Sequence, residues 1–195
     1  NKNFSSKAGG RMSPQFMLGI GSSTFLGELG GKPTLGSDDP SDIDIACISY
    51  AFSAGLRVPL SNSFALRALL SHAHLSGSDE QTTNRERGGR NLSFESPLTE
   101  GSLTLEFMPG KGGMGSKHFY VYGGVGLAFF NPYTKLNGTK YYLQPLGTEG
   151  QNFDRNSAPY ALSTTVYPFG LGYRIPAGRG QLSFELALRK TTTDY

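Results

Sequence analysis

The chain has 195 residues, a net charge of +3 and one cysteine, Cys47, which excludes an intrachain disulfide and a cysteine-ligated metal cluster. A mean hydropathy of -0.31, with no apolar run near ~18 residues, excludes a transmembrane helix. Charged residues make up only 17% of the chain, against ~25% in soluble domains; with 27 glycines and 12% aromatics, this favours a β-rich protein with many turns.

The opening stretch, NKNFSSKAGGRMSPQ, has no basic start followed by an apolar core, so no signal peptide is read there. A chain that begins on Asn is the expected product of leader removal. From residue 16 onward apolar residues recur with period two, the spacing of half-buried strands. In 16–26, Phe16, Leu18 and Ile20 alternate with Gly19, Gly21 and Ser23. In 48–58, Ile48, Tyr50, Phe52, Ala54, Leu56 and Val58 share one face, opposite Ser49, Ala51, Ser53, Gly55 and Arg57. In 64–71, Phe64, Leu66, Ala68 and Leu70 oppose Ala65, Arg67, Leu69 and Ser71. Leu103, Leu105 and Phe107 then oppose Ser102, Thr104 and Glu106. In 119–129, Phe119, Val121, Val125, Leu127 and Phe129 oppose Tyr120, Tyr122, Gly124, Gly126 and Ala128. Phe169, Leu171, Tyr173 and Ile175 face away from Gly170, Gly172 and Arg174, with a bulge or kink expected at Pro168. Last, Leu182, Phe184, Leu186 and Leu188 oppose Ser183, Glu185, Ala187 and Arg189.

The connections alternate between long (27–42, 77–97, 133–159) and short (PLSNS, PGKGGMGSK, PAGRG). Tight turns at one end and long loops at the other are expected of an outer-membrane barrel. Single-chain bacterial barrels have even strand numbers, and seven strands are visible. An eighth is therefore expected after RKTTTDY.

A soluble barrel would turn its apolar face inward. The polar face decides against that. Every lysine (Lys2, Lys7, Lys32, Lys111, Lys117, Lys135, Lys140, Lys190) falls in a loop, a turn or at a strand end. The mid-strand polar face is Gly, Ala, Ser and Thr, which suits the crowded inside of a narrow barrel. The predicted fold class is thus all-β: a small antiparallel transmembrane β-barrel, eight strands expected with seven visible. Residues 1–15 form a periplasmic N-terminal segment, and 16–195 form the barrel. The mid-strand charges Arg57, Arg67, Arg174, Arg189, Glu106 and Glu185, with Glu100 beside them, are predicted to form a salt-bridge network in a plugged lumen, because an unpaired buried charge costs several kcal/mol.

HFYVYGGVGLAFF (118–130) carries a glycine cluster that a phosphate-binding loop would also show. Such a loop needs a helix to begin at the glycines. Here alternation continues through Gly123, Gly124 and Gly126, so these glycines are the small face of a strand. His72 and His74 share a face but have only His118 as a further histidine, and Asp38, Asp39, Asp42 and Asp44 lack calcium-loop spacing; both read as solvated polar groups. Asn137-Gly138-Thr139 matches a glycosylation sequon that matters only in a eukaryotic secretory route. No Ser-His-Asp arrangement and no base-stacking basic surface is found, and no metal or cofactor is expected. The inferred short-turn end carries Lys2, Lys7, Arg11, Lys111, Lys117 and Arg179 with no acid. That rim suits anionic inner-leaflet headgroups, or a protein partner docked through Lys111, Lys117 and Arg179.

GSSTFLGELGG, RNLSFESPLTEGSLTLEF, YVYGGVGLAFFNP, VYPFGLGYRI and ELALRKTTTDY, in that order, resemble the PorG-like outer-membrane barrels of the type IX secretion system. The resemblance implies an eight-stranded barrel without enzymatic activity. It also implies a place in the cell outer membrane and association with the periplasmic ring of a lipoprotein and its partner (PorK and PorN). The expected function is a structural or accessory subunit of a protein-secretion machine, fixed in lipid by Tyr50, Phe52, Leu56, Val121, Leu127, Phe129, Phe184 and Leu186. The alternatives are a surface-binding or adhesion barrel working through 77–97 and 133–159, and a soluble lipid-binding barrel.

Overall fold

The computed structural model describes residues 13–24, 49–78, 93–109, 118–136, 138–146 and 160–192. These form strands β1 (Gln15–Ser23), β2 (Ser49–Pro59), β3 (Phe64–Ser78), β4 (Ser93–Phe107), β5 (His118–Phe130), β6 (Tyr133–Leu136), β7 (Thr139–Tyr142), β8 (Ser163–Ala177) and β9 (Gly180–Thr191). A single helical turn, Leu143–Leu146, follows β7. The long strands lie in the order β1-β2-β3-β4-β5-β8-β9, every pair antiparallel, so the chain meanders from one strand to its neighbour. Among the described residues β1 and β9 pair neither with each other nor with a further strand, which leaves a curled half-barrel.

The curl follows from who touches whom. Arg67 on β3 bonds Glu185 on β9, four strands away. In a flat sheet that separation is roughly 19 Å, beyond the reach of two side chains. The residues on the concave side are those of the small and charged phase: Arg57, Arg67, Glu100, Glu106, Tyr120, Tyr122 and Arg174 are all buried. The convex side carries the large apolar phase. Phe16, Leu18 and Ile20 are 89%, 90% and 88% exposed, and Phe52, Leu127, Phe129, Phe184 and Leu186 are each more than half exposed. The dressing is inverted relative to a soluble sandwich.

Several strands outrun their predicted bounds. β3 continues to Ser78 and β4 starts at Ser93, so much of the expected 77–97 loop is strand. Past the apolar stretch the outward positions become His72, His74, Thr99 and Glu95, and the hydropathy alternation disappears although the backbone ladder does not. The expected 133–159 loop contains the β6–β7 hairpin. Leu98 pairs with Phe130 and Glu95 with Tyr133, the same register, so β6 prolongs β5 across Asn131-Pro132. Leu136 pairs with Thr139, leaving two residues to turn, and Gly138 takes φ +81, which side-chain-bearing residues rarely adopt.

The bulge expected at Pro168 is corrected, although the ladder to β5 is interrupted there. Gly123↔Phe169 and Gly126↔Val166 keep one register on either side of it, and pairing with β9 runs through Pro168↔Arg189. Only the rungs to β5 at Tyr167 and Pro168 are missing, since proline has no N–H to donate. The proline is buried with the concave phase, and no residue is inserted.

Two glycines explain how a narrow interior accommodates large rings. Tyr120 faces Gly172 and Tyr122 faces Gly170 across the β5–β8 ladder. A Cβ on Gly172 would lie 2.3 Å from the Tyr120 ring, and one on Gly170 would lie 2.7 Å from the Tyr122 hydroxyl. Gly172→Val is therefore expected to expel the Tyr120 ring and to destabilise the fold by about 1–3 kcal/mol. The urea midpoint should fall accordingly; an unchanged midpoint would show that the ring does not need that space.

Candidate functional site

Glu106 is the centre of the concave face. It sits on β4, two strands from β2 and two from β8. Its side chain is 0% exposed, and it accepts from Arg57 Nη2 at 2.6 Å and Arg57 Nε at 3.0 Å. From the other side it accepts from Arg174 Nη1 at 2.9 Å and Arg174 Nη2 at 3.0 Å. Both carboxylate oxygens are thus engaged by two arginine forks, the strongest hydrogen-bond geometry available to these groups. Arg57 also donates to Gln15 Oε1 at 2.9 Å, its cross-strand neighbour on β1. The thioether of Met108 lies 3.3 Å from Arg57 Nη2 and caps the pair from below.

Arg57 and Arg67 stand directly opposite each other on β2 and β3. Like charges so placed repel, and the acids separate them. Arg67 Nη1 is 3.9 Å from Glu106, while Arg67 Nη2 bonds Glu185 at 3.1 Å. Glu185 also accepts from the Tyr120 hydroxyl at 2.6 Å. Arg67 lies 4.5 Å over the Tyr122 ring and Arg174 4.3 Å over the Tyr120 ring, so the faces of the two tyrosines help to solvate the guanidiniums. Arg189 donates through Nε to Glu100 Oε2. The structure therefore places Arg57, Arg67, Glu106, Arg174, Glu185 and Arg189 on one face, with Glu100 and the two tyrosines as further members. Ring-over-arginine contacts have no signature in the linear sequence beyond the shared parity of Tyr120 and Tyr122 with Glu106.

A second cluster lies on the convex side, beyond the apolar belt at the end where β3 leads into 79–92. Glu95 accepts from Lys135 Nζ at 2.7 Å and from the Tyr133 hydroxyl at 2.8 Å, and His74 Nε2 is 3.4 Å from it. His74 stacks on Tyr50, with ring centroids 5.9 Å apart. Lys140 sits 4.5 Å above the Tyr133 ring. None of these contacts was expected from the sequence. The signal that marks them is Asn-Gly between two short runs of β-formers, YTKL and TKYY, which is a hairpin signature.

His72 bonds the Thr99 hydroxyl at 3.0 Å, and His118 pairs with Arg174 at the opposite end of the sheet. Among the described residues no group of three metal-ligating side chains forms. Of the expected rim, Arg179 is exposed in the Ala177–Gly180 turn, where Gly178 has φ +59. Lys111 and Lys117 lie outside the described residues, as do Asp38, Asp39, Asp42, Asp44, Cys47 and Asn137. Comparison with protein-family models, curated proteins and solved structures gives no match.

The burial pattern ranks the acids. Glu106→Gln leaves Arg57 and Arg174 charged, enclosed and short of a counter-ion, an expected loss of about 3–5 kcal/mol. Glu100→Gln is expected to cost clearly less, since the Arg189 side chain is 36% exposed and can turn to water. Thermal unfolding of the two variants checks the order, and equal losses would show that the cluster is not centred on Glu106.

Proposed function

We propose that this chain is an outer-membrane β-barrel serving as a structural or accessory subunit of a protein-secretion machine of the type IX kind. One observation carries the membrane part: large apolar side chains cover the convex face while arginines and glutamates fill the concave one. In water such a surface is an aggregation liability; in hydrocarbon it is the dressing a barrel needs. The outer edges of β1 and β9, which have no partner among the described residues, point the same way. Unsatisfied backbone N–H and C=O groups cost several kcal/mol each in lipid, so a further strand bridging Gln15–Ser23 and Gly180–Thr191 completes the wall. The belt of Tyr50, Phe52, Leu56, Val121, Leu127, Phe129, Phe184 and Leu186 fixes it in the bilayer.

The secretion role is supported by the resemblance to PorG-like barrels and by the basic character of the short-turn end. In this reading Lys111, Lys117 and Arg179 bind a periplasmic ring lipoprotein and its partner, and the protein works by anchorage without catalysis. Ion pairs fill the concave side, so transport through it is not part of the proposal.

Two measurements test the reading separately. Leu127→Arg places a charge at mid-belt and is expected to destabilise the inserted barrel by about 2–4 kcal/mol, read as loss from the membrane fraction after flotation. Wild-type protein found in the aqueous fraction without detergent would overturn the membrane assignment. Charge reversal at Lys111, Lys117 and Arg179 is expected to strip periplasmic partners from the detergent-extracted complex; an unchanged set would remove the docking role.

A further inference from the structure

Lys135 and Lys140 stand directly opposite each other in the β6–β7 hairpin. Two ammonium groups at one cross-strand pair repel, and a two-residue turn gives them no freedom to separate along the chain. One carboxylate, Glu95, lies beside the pair. It is bonded to Lys135, and Lys140 has no carboxylate partner among the described residues. Among the described residues the arrangement leaves an excess positive charge over an aromatic floor: Tyr133, which is buried, and Tyr142 edge-on to it at 6.1 Å.

Position narrows what could neutralise it. This face of the hairpin is the convex face, shared with Phe52, Leu127 and Phe129, so the patch looks toward the surroundings of the barrel and away from its interior. Thr99 is the partner of Phe129, and Glu95 lies four residues further along β4. That is roughly 13 Å along the strand, or about 10 Å in depth for a strand tilted by ~40°. A group just past the apolar belt on the outward side sits among lipid headgroups, not hydrocarbon or bulk water.

We propose that Lys135 and Lys140, over the rings of Tyr133 and Tyr142, seat the phosphate monoester of a lipid headgroup. A dianionic phosphate relieves the repulsion between the two lysines. It accepts from both ammonium groups, while Glu95 keeps Lys135 oriented. The inference rests on the membrane reading above and adds a lipid preference to it.

The test uses the full chain reconstituted in phosphatidylcholine nanodiscs that contain phosphatidic acid, followed by release in a native mass spectrometer. Wild-type protein is expected to retain phosphatidic acid well above its bulk proportion. The double variant Lys135→Gln, Lys140→Gln should lose that enrichment by roughly 25-fold, at about fivefold per lysine. Glutamine relieves the like-charge pair, so the hairpin remains formed and thermal stability in detergent should not fall. Equal enrichment in wild type and variant, or retention of both lipids in their bulk ratio, overturns the lipid site alone. Failure of the wild-type chain to enter bilayers of either composition overturns the membrane reading and this proposal with it.

Discussion

A carboxylate held by two arginines in the concavity of a curled sheet is the interaction on which this architecture depends. Glu106 joins β2, β4 and β8 through Arg57 and Arg174, strands that are not neighbours and that no backbone hydrogen bond connects. Removing a guanidinium from water is costly, and the cost is recovered only when geometry and counter-charge are both right. Here the cross-sheet pairs Arg57–Glu106, Glu106–Arg174, Arg67–Glu185 and Glu100–Arg189 set how tightly the sheet curls. The tyrosine faces over glycine backbone fill what the charges leave. The apolar exterior follows from this, because a concavity occupied by ions leaves Leu and Phe nowhere to point but out.

Strand phase was legible in the sequence because period two is strict wherever one face is apolar. Phe52, Leu56, Val121, Leu127, Phe184 and Leu186 declare a face, and Arg57, Arg67, Glu106 and Glu185 fall on the other by parity alone. Which acid meets which base was not legible. Pairing across two to four strands depends on curvature, and curvature is a property of the whole sheet. Strand ends were also hidden. At His72, His74, Thr99 and Glu95 the outward residues turn polar, so the alternation fades while the ladder continues to Ser78 and Ser93. Pro168 misled in the opposite sense: a residue that usually breaks a ladder costs only the rungs on one side, its ring tucked into the concave phase.

The convex cluster shows how much a turn signal carries. Asn-Gly flanked by YTKL and TKYY encodes a hairpin, and the hairpin aligns two lysines that are five residues apart in sequence into one cross-strand pair. Read as loop, those residues are unremarkable surface charges. Read as a hairpin continuing β5, they are a fixed pair of cations with a carboxylate and a tyrosine floor. The chemistry of the patch is thus created by local backbone geometry, in contrast to the interior cluster, which long-range curvature creates.

The meander of the long strands has a kinetic corollary. Nearly all backbone pairing joins long strands that follow one another in the chain, so hairpins can zip one after another. The side-chain bridges are different: Arg67 and Glu185 are separated by 118 positions, Arg189 and Glu100 by 89. Those contacts cannot form until the last long strand has joined. They act as a late latch, rewarding only a sheet whose rungs are already in register. A slip of one residue at any ladder would point an arginine at the oily side, so the latch doubles as a proofreading step for assembly.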